Sequence, residues 1–187
     1  MKSTADNHVL PDKLDIRDMV DGDRDAVCQL ILELFDEFIG PGYSEQGRRR
    51  FHRGTRKQVQ RDYWQDGGFR KLAFSGNELI GVIGVRDGTH VHWLWVRRDW
   101  HRRGIARLLM RIAVDTIRLQ IPQANRLTLN ASPYAVEAYK RLGFRTAGHE
   151  NIRKGIASTP MVMDLFADPD SAENPVADAG DSKAGSQ

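Results

Sequence analysis

The stretch H-V-H-W-L-W-V-R-R-D-W-H-R-R-G-I-A-R-L-L, from His90 to Leu109, reads as a strand, a cationic turn and the start of a helix. His90 to Val96 is apolar and aromatic with β-branched Val91 and Val96, which suits a pleated, largely buried strand. From Ile105 the apolar residues fall at Ile105, Leu108, Leu109, Ile112, Ala113 and Ile117, the spacing of an amphipathic helix. A helix starting at Gly104 presents free backbone N–H groups and partial positive charge to whatever precedes it. Arg97, Arg98, Arg102 and Arg103 add charge there, so the turn has the makings of an anion site. It lacks the G-K-[ST] ending of a P-loop and the G-x-G-x-x-G of a dinucleotide-binding unit, and a bare Gly-x-Ala turn is common.

Working outward, Leu14 to Arg17 alternates as a short strand, and Asp21-Gly22-Asp23 starts a helix carried by Val27, Leu30, Ile31, Leu34, Phe35 and Phe38. Gly40-Pro41-Gly42 ends it. Residues 44–65 form a second helical region, with Phe51, Val59 and Tyr63 on one side and Arg48, Arg49, Arg50, Arg53, Arg56, Lys57 and Arg61 around the rest. Gly54 weakens its middle by ~1 kcal/mol relative to Ala, enough to threaten a break. Residues 70–74 and 79–85 are two strands joined by the turn Ser75-Gly76-Asn77-Glu78, and Asp87-Gly88 turns the chain into the strand at His90. Arg126 to Asn130 is a further strand. Ser132 as N-cap, Pro133 in the first turn and Gly143 past the end frame a helix with the stripe Ala135, Ala138, Tyr139 and Leu142. Residues 144–147 and 160–166 complete the sheet. The order β-α-α-β-β-β-α-β-α-β-β describes a mixed α/β sandwich, without internal repeat.

Composition bounds the function. The 187 residues, 40% hydrophobic, fit one domain with a real core. No apolar run approaches the ~20 residues that span a bilayer and the N-terminus has no secretory h-region, so a cytoplasmic, membrane-free protein is expected. Cys28 lies in a helical apolar pattern, which favours packing over reactivity, and no Cys/His cluster has zinc-ligand spacing, so no metal is expected. The net charge of +3 conceals an asymmetry: residues 167–187 carry five acidic residues against Lys183, leaving the remainder near +7. Residues 1–13 are expected to be a flexible leader, 14–166 a single domain, and 167–187 a disordered acidic tail.

Three blocks in order carry a resemblance to the GNAT superfamily of acyl-CoA N-acyltransferases. W-L-W-V followed by H-R-R-G-I-A-R-L-L at 93–109 is similar to that family's fourth strand and pyrophosphate loop, usually R/Q-x-x-G-x-G/A. L-T-L-N-A-S-P-Y-A-V-E-A-Y-K-R-L-G-F at 127–144 resembles the strand, helix and Leu-Gly-Phe ending that flank the thiol of coenzyme A, and L-I-G-V-I-G-V-R at 79–86 resembles the third strand. Together they cover about half the chain. His101 stands where the family usually has Arg or Gln, and Ala106 is the permitted alternative to the last Gly.

The resemblance implies a central, mostly antiparallel sheet with a V-shaped splay between strands four and five, and helices on both faces. It implies acetyl transfer from acetyl-CoA to a primary amine of a small molecule or peptide, by direct attack in a ternary complex and without a metal. The cofactor-binding residues it points to are Leu94, Trp95, Val96, His101, Arg102, Arg103, Gly104, Ile105, Ala106, Arg107, Asn130, Ser132 and Tyr134. Backbone donors of Arg102 to Ala106 would take the diphosphate, and an N–H near Leu94 would support the oxyanion. Tyr139 resembles the family's general acid. With reference pKa values of ~10 for Tyr and ~8.5 for a thiol, that proton transfer is uphill by only ~2 kcal/mol.

An alkyl ammonium of pKa ~10.4 must also lose a proton before it attacks. Relatives commonly use a carboxylate on the fourth strand; here His90 stands near that position, with His92 expected on the same face. Phe38, Tyr43 and Trp93 are expected walls of the acceptor site. A monomer or homodimer fits equally. Two other readings compete: a non-catalytic acyl-CoA-binding or regulatory module on the same fold, and nucleic-acid binding through residues 48–61. Sparse interleaved aromatics argue against the second.

Overall fold

The computed structural model describes residues 13–60, 67–153 and 155–166. The expected leader, apart from Lys13, and the acidic tail lie outside the described residues, as do Arg61 and Tyr63. The elements are β1 (Leu14–Asp18), α1 (Arg24–Phe38), α2 (Glu45–Val59), β2 (Phe69–Ser75), β3 (Glu78–Arg86), β4 (His90–Val96), α3 (Ile105–Gln120), β5 (Arg126–Ala131), α4 (Val136–Arg141), β6 (Arg145–Thr146), β7 (Asn151–Arg153) and β8 (Ile156–Asp164). The strands run β1-β2-β3-β4-β5-β8-β6, with β7 also pairing β8. Every pairing is antiparallel except β4 with β5, which is parallel.

Two apolar layers sandwich this sheet. On one face Ile105, Leu109, Ala113 and Ile117 of α3 pack on Ile83, Val85, Val91, Leu127 and Leu129, with Tyr139 and Leu142 beside them. On the other, Val27, Leu30, Ile31 and Leu34 of α1 and Val59 of α2 cover Leu72, Val82 and Trp93. The i, i+3, i+4 stripes of α1 and α3 therefore face opposite sides of one sheet, as the sequence pattern demands.

β4 departs from plain alternation at one residue. Gly84 pairs with Trp93 but Val85 pairs with Val91, so His92 is the extra residue of a β-bulge. The bulge turns His92 and Trp93 to the same side, with ring centroids 5.4 Å apart. Gly84 makes room opposite: a Cβ there would lie 3.1 Å from Trp93 Cε3.

Several boundaries differ from the sequence expectation. The helix expected to begin at Ser132 begins at Val136, because Ala135 N donates to Ser132 O (2.8 Å) in a tighter turn and the Ser132 hydroxyl caps nothing. Its other end follows expectation: Gly143 adopts φ 96°, Phe144 N donates to Tyr139 O and Gly143 N to Lys140 O (both 3.0 Å), the paired bonds of a Schellman motif. Gly54 stays inside α2, whose start is capped by Ser44 Oγ accepting from Gly47 N (3.1 Å). The last strand starts four residues earlier than expected and pairs with a strand, β7, that no periodicity announced.

The sandwich predicts a contrast within α3. Leu109→Ala, at a fully buried site, should cost about 2–5 kcal/mol, whereas Leu119→Ala, 82% exposed on the same helix, should stay within about 0.5 kcal/mol. Urea denaturation midpoints measure both.

Candidate active site

The parallel β4–β5 ladder has only two register pairs, His90 with Thr128 and Val91 with Leu129. Beyond them the strands part. Arg97 N donates to Ile80 O (2.8 Å), and bonded and non-bonded pairs alternate along an antiparallel ladder. Trp93 and Trp95, in the same register, thus turn their main-chain groups to β3, while those of Leu94 and Val96 point toward β5. Thr128 N donates to Thr89 O (3.0 Å), which turns the Asn130 main chain toward β4 by the same alternation. A cleft therefore opens between β4 and β5, edged by the polar backbone of Leu94, Val96 and Asn130. Trp95, expected among the cofactor residues, bonds instead to β3 and packs its ring with the α1 and α2 layer.

At the mouth of this cleft the β4–α3 loop winds tightly. Arg102 and Gly104 both hold positive φ, 61° and 83°. Leu108 N to Gly104 O (2.9 Å) is the first hydrogen bond of α3, and no side chain caps Gly104. The amides of Ile105, Ala106 and Arg107 therefore face outward without backbone acceptors, as at any uncapped helix start. His101 turns inward, its Nε2–H donating to Val96 O (2.8 Å), so the imidazole braces the loop against the end of β4. The charge here is smaller than the sequence suggested. Arg97 donates Nε to Leu79 O (3.0 Å) and pairs with Glu78, and Arg98 pairs with Glu37 of α1 (2.6 Å). Arg102 and Arg107 remain exposed, with Arg103 lying over the Trp100 ring at 4.8 Å.

Beyond β5, the Ser132 hydroxyl is buried and makes no hydrogen bond. Leaving such a group unsatisfied costs about 1–3 kcal/mol, a feature expected of a site built for a missing partner. Tyr134, 60% exposed, stacks on Phe38 at 5.5 Å and 24°, and Phe38 also meets His101 at 5.3 Å. Phe38, expected at the acceptor, thus sits among the expected cofactor residues. The Tyr139 ring packs edge-on against Phe144 at 5.7 Å, and burial raises its hydroxyl above the ordinary tyrosine value. That hydroxyl makes no hydrogen bond among the described residues.

The two histidines lie on the α1 and α2 face of β4. Thr128 Oγ1 contacts Thr89 O at 3.4 Å and His90 Nδ1 at 2.9 Å. When the hydroxyl donates to the carbonyl it accepts from Nδ1–H, and in that tautomer the His90 lone pair lies on Nε2. Burial, then Arg86, lowers His90 below its ordinary value. His92 Nε2 donates to Gln58 Oε1 (2.8 Å), and burial, with Arg86, His90 and Arg70, takes its pKa down to about 3.

The remaining expected walls are engaged elsewhere. Trp93 is 4% exposed beneath the Arg70 guanidinium, which lies 4.7 Å from its ring. The Tyr43 hydroxyl donates to Ala157 O (3.0 Å), strapping the α1–α2 connection to β8. The basic segment lines a separate groove of about 830 Å³ with Arg48, Arg49, Arg53, Arg56 and Lys57. Its one interleaved aromatic among the described residues, Phe51, stacks inward on Phe35 at 3.7 Å. Gln58, Thr128, Arg70 and Arg86 went unnoticed in the sequence, because each acts through a partner far along the chain. The period-two alternation placing Arg86 opposite His90 was the single available signal.

Among the described residues no cluster of His, Cys, Asp and Glu could hold a metal, and no helix is long and apolar enough to cross a membrane. No curated protein matches the sequence. Solved structures share the fold. A GCN5-related N-acetyltransferase from Rhodopseudomonas palustris has a TM-score of 0.71 at 17% identity, covering 84% of this chain and 99% of its own. An acetyltransferase of the GNAT family from Staphylococcus aureus Mu50 gives 0.65 at 16%, with 81% and 99% covered. The paia N-acetyltransferase of Thermoplasma acidophilum, solved in complex with coenzyme A, gives 0.68 at 15%, again with 81% and 99% covered. A family profile described as an acetyltransferase (GNAT) domain matches residues 39–165. With more than half of its length matched, its sheet parted between β4 and β5 and an uncapped helix at the mouth of the cleft, this chain belongs to the GNAT acetyltransferase family.

Proposed function

We propose that the protein transfers the acetyl group of acetyl-CoA to a primary amine within a ternary complex. The observation that carries this reading is the early end of the β4–β5 ladder, which leaves the Leu94 and Asn130 backbone and the Val96 N–H without a strand partner in a cleft, the Val96 carbonyl being taken by His101. Unpaired main-chain groups of that kind call for partners, and the amides of a pantetheine arm are suitable ones. The uncapped amides of Ile105 to Arg107, with Arg102 exposed beside them, suit a diphosphate. The orphaned Ser132 hydroxyl offers a further hydrogen bond. A structural neighbour that holds coenzyme A supports the same assignment. When bound, acetyl-CoA supplies an activated thioester carbonyl.

The chain's own groups then account for charge and protons. The amine nitrogen bonds to the carbonyl carbon as the carbon–sulfur bond breaks. An N–H at Leu94, turned toward the cleft, stabilises the developing oxyanion. Tyr139 is protonated across the working pH range and its hydroxyl delivers the proton taken by the departing sulfur, a transfer that burial makes steeper than the reference values give. His90, whose Nε2 lone pair is free, accepts the proton lost by the amine, directly or through water. His92 is the poorer candidate: moving a proton from an ammonium of pKa ~10.4 to an imidazole near 3 is uphill by about 10 kcal/mol. Its bond to Gln58 gives it a positioning role, holding α2 over the bulge.

Three outcomes test this reading. Tyr139→Phe should lower kcat at least tenfold while the coenzyme A Kd stays within about twofold, measured by thiol release against an amine panel and by calorimetry. Tight acetyl-CoA binding without turnover on any amine would favour a regulatory module instead. Gly104→Val forces a β-branched residue into φ 83° and should weaken coenzyme A binding by tenfold or more. His92 gives a pH signature in stability. Its folded pKa is depressed, so between about pH 6 and 4 the unfolded chain binds a proton that the folded one does not. Stability should therefore drop as the pH is lowered through that window, by up to about 1.4 kcal/mol per unit, and His92→Gln should flatten that slope in urea titrations.

A further inference from the structure

On the face of the sheet that carries His90 and His92, one cationic group is left without a strong partner. Arg86 ends β3 and is the cross-strand neighbour of His90. Directly opposed residues on adjacent strands project side by side, with Cβ atoms about 4.5–5.5 Å apart. The Arg86 Nε is buried and makes no hydrogen bond. Its one ion pair is with the adjacent Asp87 at 3.6 Å, longer than a hydrogen bond, and that carboxylate is 68% exposed. The nearby Arg70 is committed differently: its guanidinium donates to Val59 O (3.3 Å) and Gln58 O (2.8 Å) and covers Trp93.

The Nε–H is buried with no acceptor nearer than the Asp87 carboxylate at 3.6 Å, while the side chain as a whole is 39% exposed, and a ligand oxygen at hydrogen-bond distance would improve on that contact. Because Nε and one Nη lie on the same edge of the planar group, the matching ligand is a flat, two-oxygen anion approached side-on. We infer that Arg86 is a specificity residue that holds a carboxylate of the acceptor, so the substrate is an amine bearing a carboxylate roughly 5–8 Å from its nitrogen. This inference rests on the amine-acetylation reading above. It also sets a preference against polyamines, whose second ammonium would meet Arg86 as a like charge.

The test compares three amines of matched length with acetyl-CoA as donor: 4-aminobutyrate, n-butylamine and 1,4-diaminobutane. The protein should use 4-aminobutyrate at least tenfold better in kcat/KM than n-butylamine, with the diamine poorest. In Arg86→Gln the preference should collapse to under threefold, chiefly through a higher KM for 4-aminobutyrate, and Arg86→Lys should recover part of it. Retained coenzyme A affinity reports that each variant is folded. An unchanged preference in folded Arg86→Gln overturns the inference, as does wild-type preference for butylamine or the diamine. A separate readout covers failure of the acetylation reading itself. Binding of 4-acetamidobutyrate to the protein with coenzyme A, measured by NMR titration, should be lost in Arg86→Gln even if no amine turns over. Absence of binding to the wild-type protein, together with absence of turnover, also overturns it.

Discussion

The structure depends on a hydrogen-bonded ladder that stops. β4 and β5 pair through two residues and then diverge, although each strand continues. Parting strands inside a sheet exposes donors and acceptors that would otherwise satisfy one another, and such groups must find partners or stay hydrated. The divergence is supported from both sides. β3 holds β4 from Val91 to Val96, and β8 holds β5 along its whole length, so neither strand can relax toward the other. His101 then satisfies one acceptor, the Val96 carbonyl, and in doing so ties the β4–α3 loop to the end of the cleft.

The bulge at His92 has a comparable reach. One extra residue puts His92 and Trp93 on the same side and lets Trp93 anchor the layer under α1 and α2. That layer extends to the cofactor edge through the end of α1, where Glu37 meets Arg98 and Phe38 lies between His101 and Tyr134. Helix α1, which covers Trp93, therefore also touches the loops at the edge of the cleft through Glu37 and Phe38.

Two cations, Arg70 and Arg86, and no carboxylate shift the histidines on this face downward. Burial first and Arg86 second hold His90 below the ordinary imidazole range, and burial, then Arg86, His90 and Arg70, do the same for His92. Opposite them, Tyr139 is shifted the other way, upward, by burial alone. Acid and base candidates thus occupy environments that keep each in the protonation state its role requires.

Much of this was legible in the chain. Helical stripes from Val27 to Phe38 and from Ile105 to Ile117, the hairpin turn at Ser75 to Glu78 and the Gly143 stop are local patterns with period 3.6, period 2 or positive φ, and each depends only on neighbours in sequence. The Gly104 helix start and the place of Tyr139 followed from the same local rules. The start of α4 did not, because the competing turn at Ser132 is decided by what surrounds that hydroxyl. Nor did the fate of Arg97 and Arg98, whose partners Leu79, Glu78 and Glu37 are distant in the chain. By itself the sequence determined the order of elements up to α4, their apolar faces and the cationic turn that leads into α3. Only tertiary structure decided the bulge at His92, the histidine hydrogen bonds to Thr128 and Gln58 and the weakly paired Nε of Arg86. Those features arise from register between separate strands and from burial, and neither is encoded in any short window of residues.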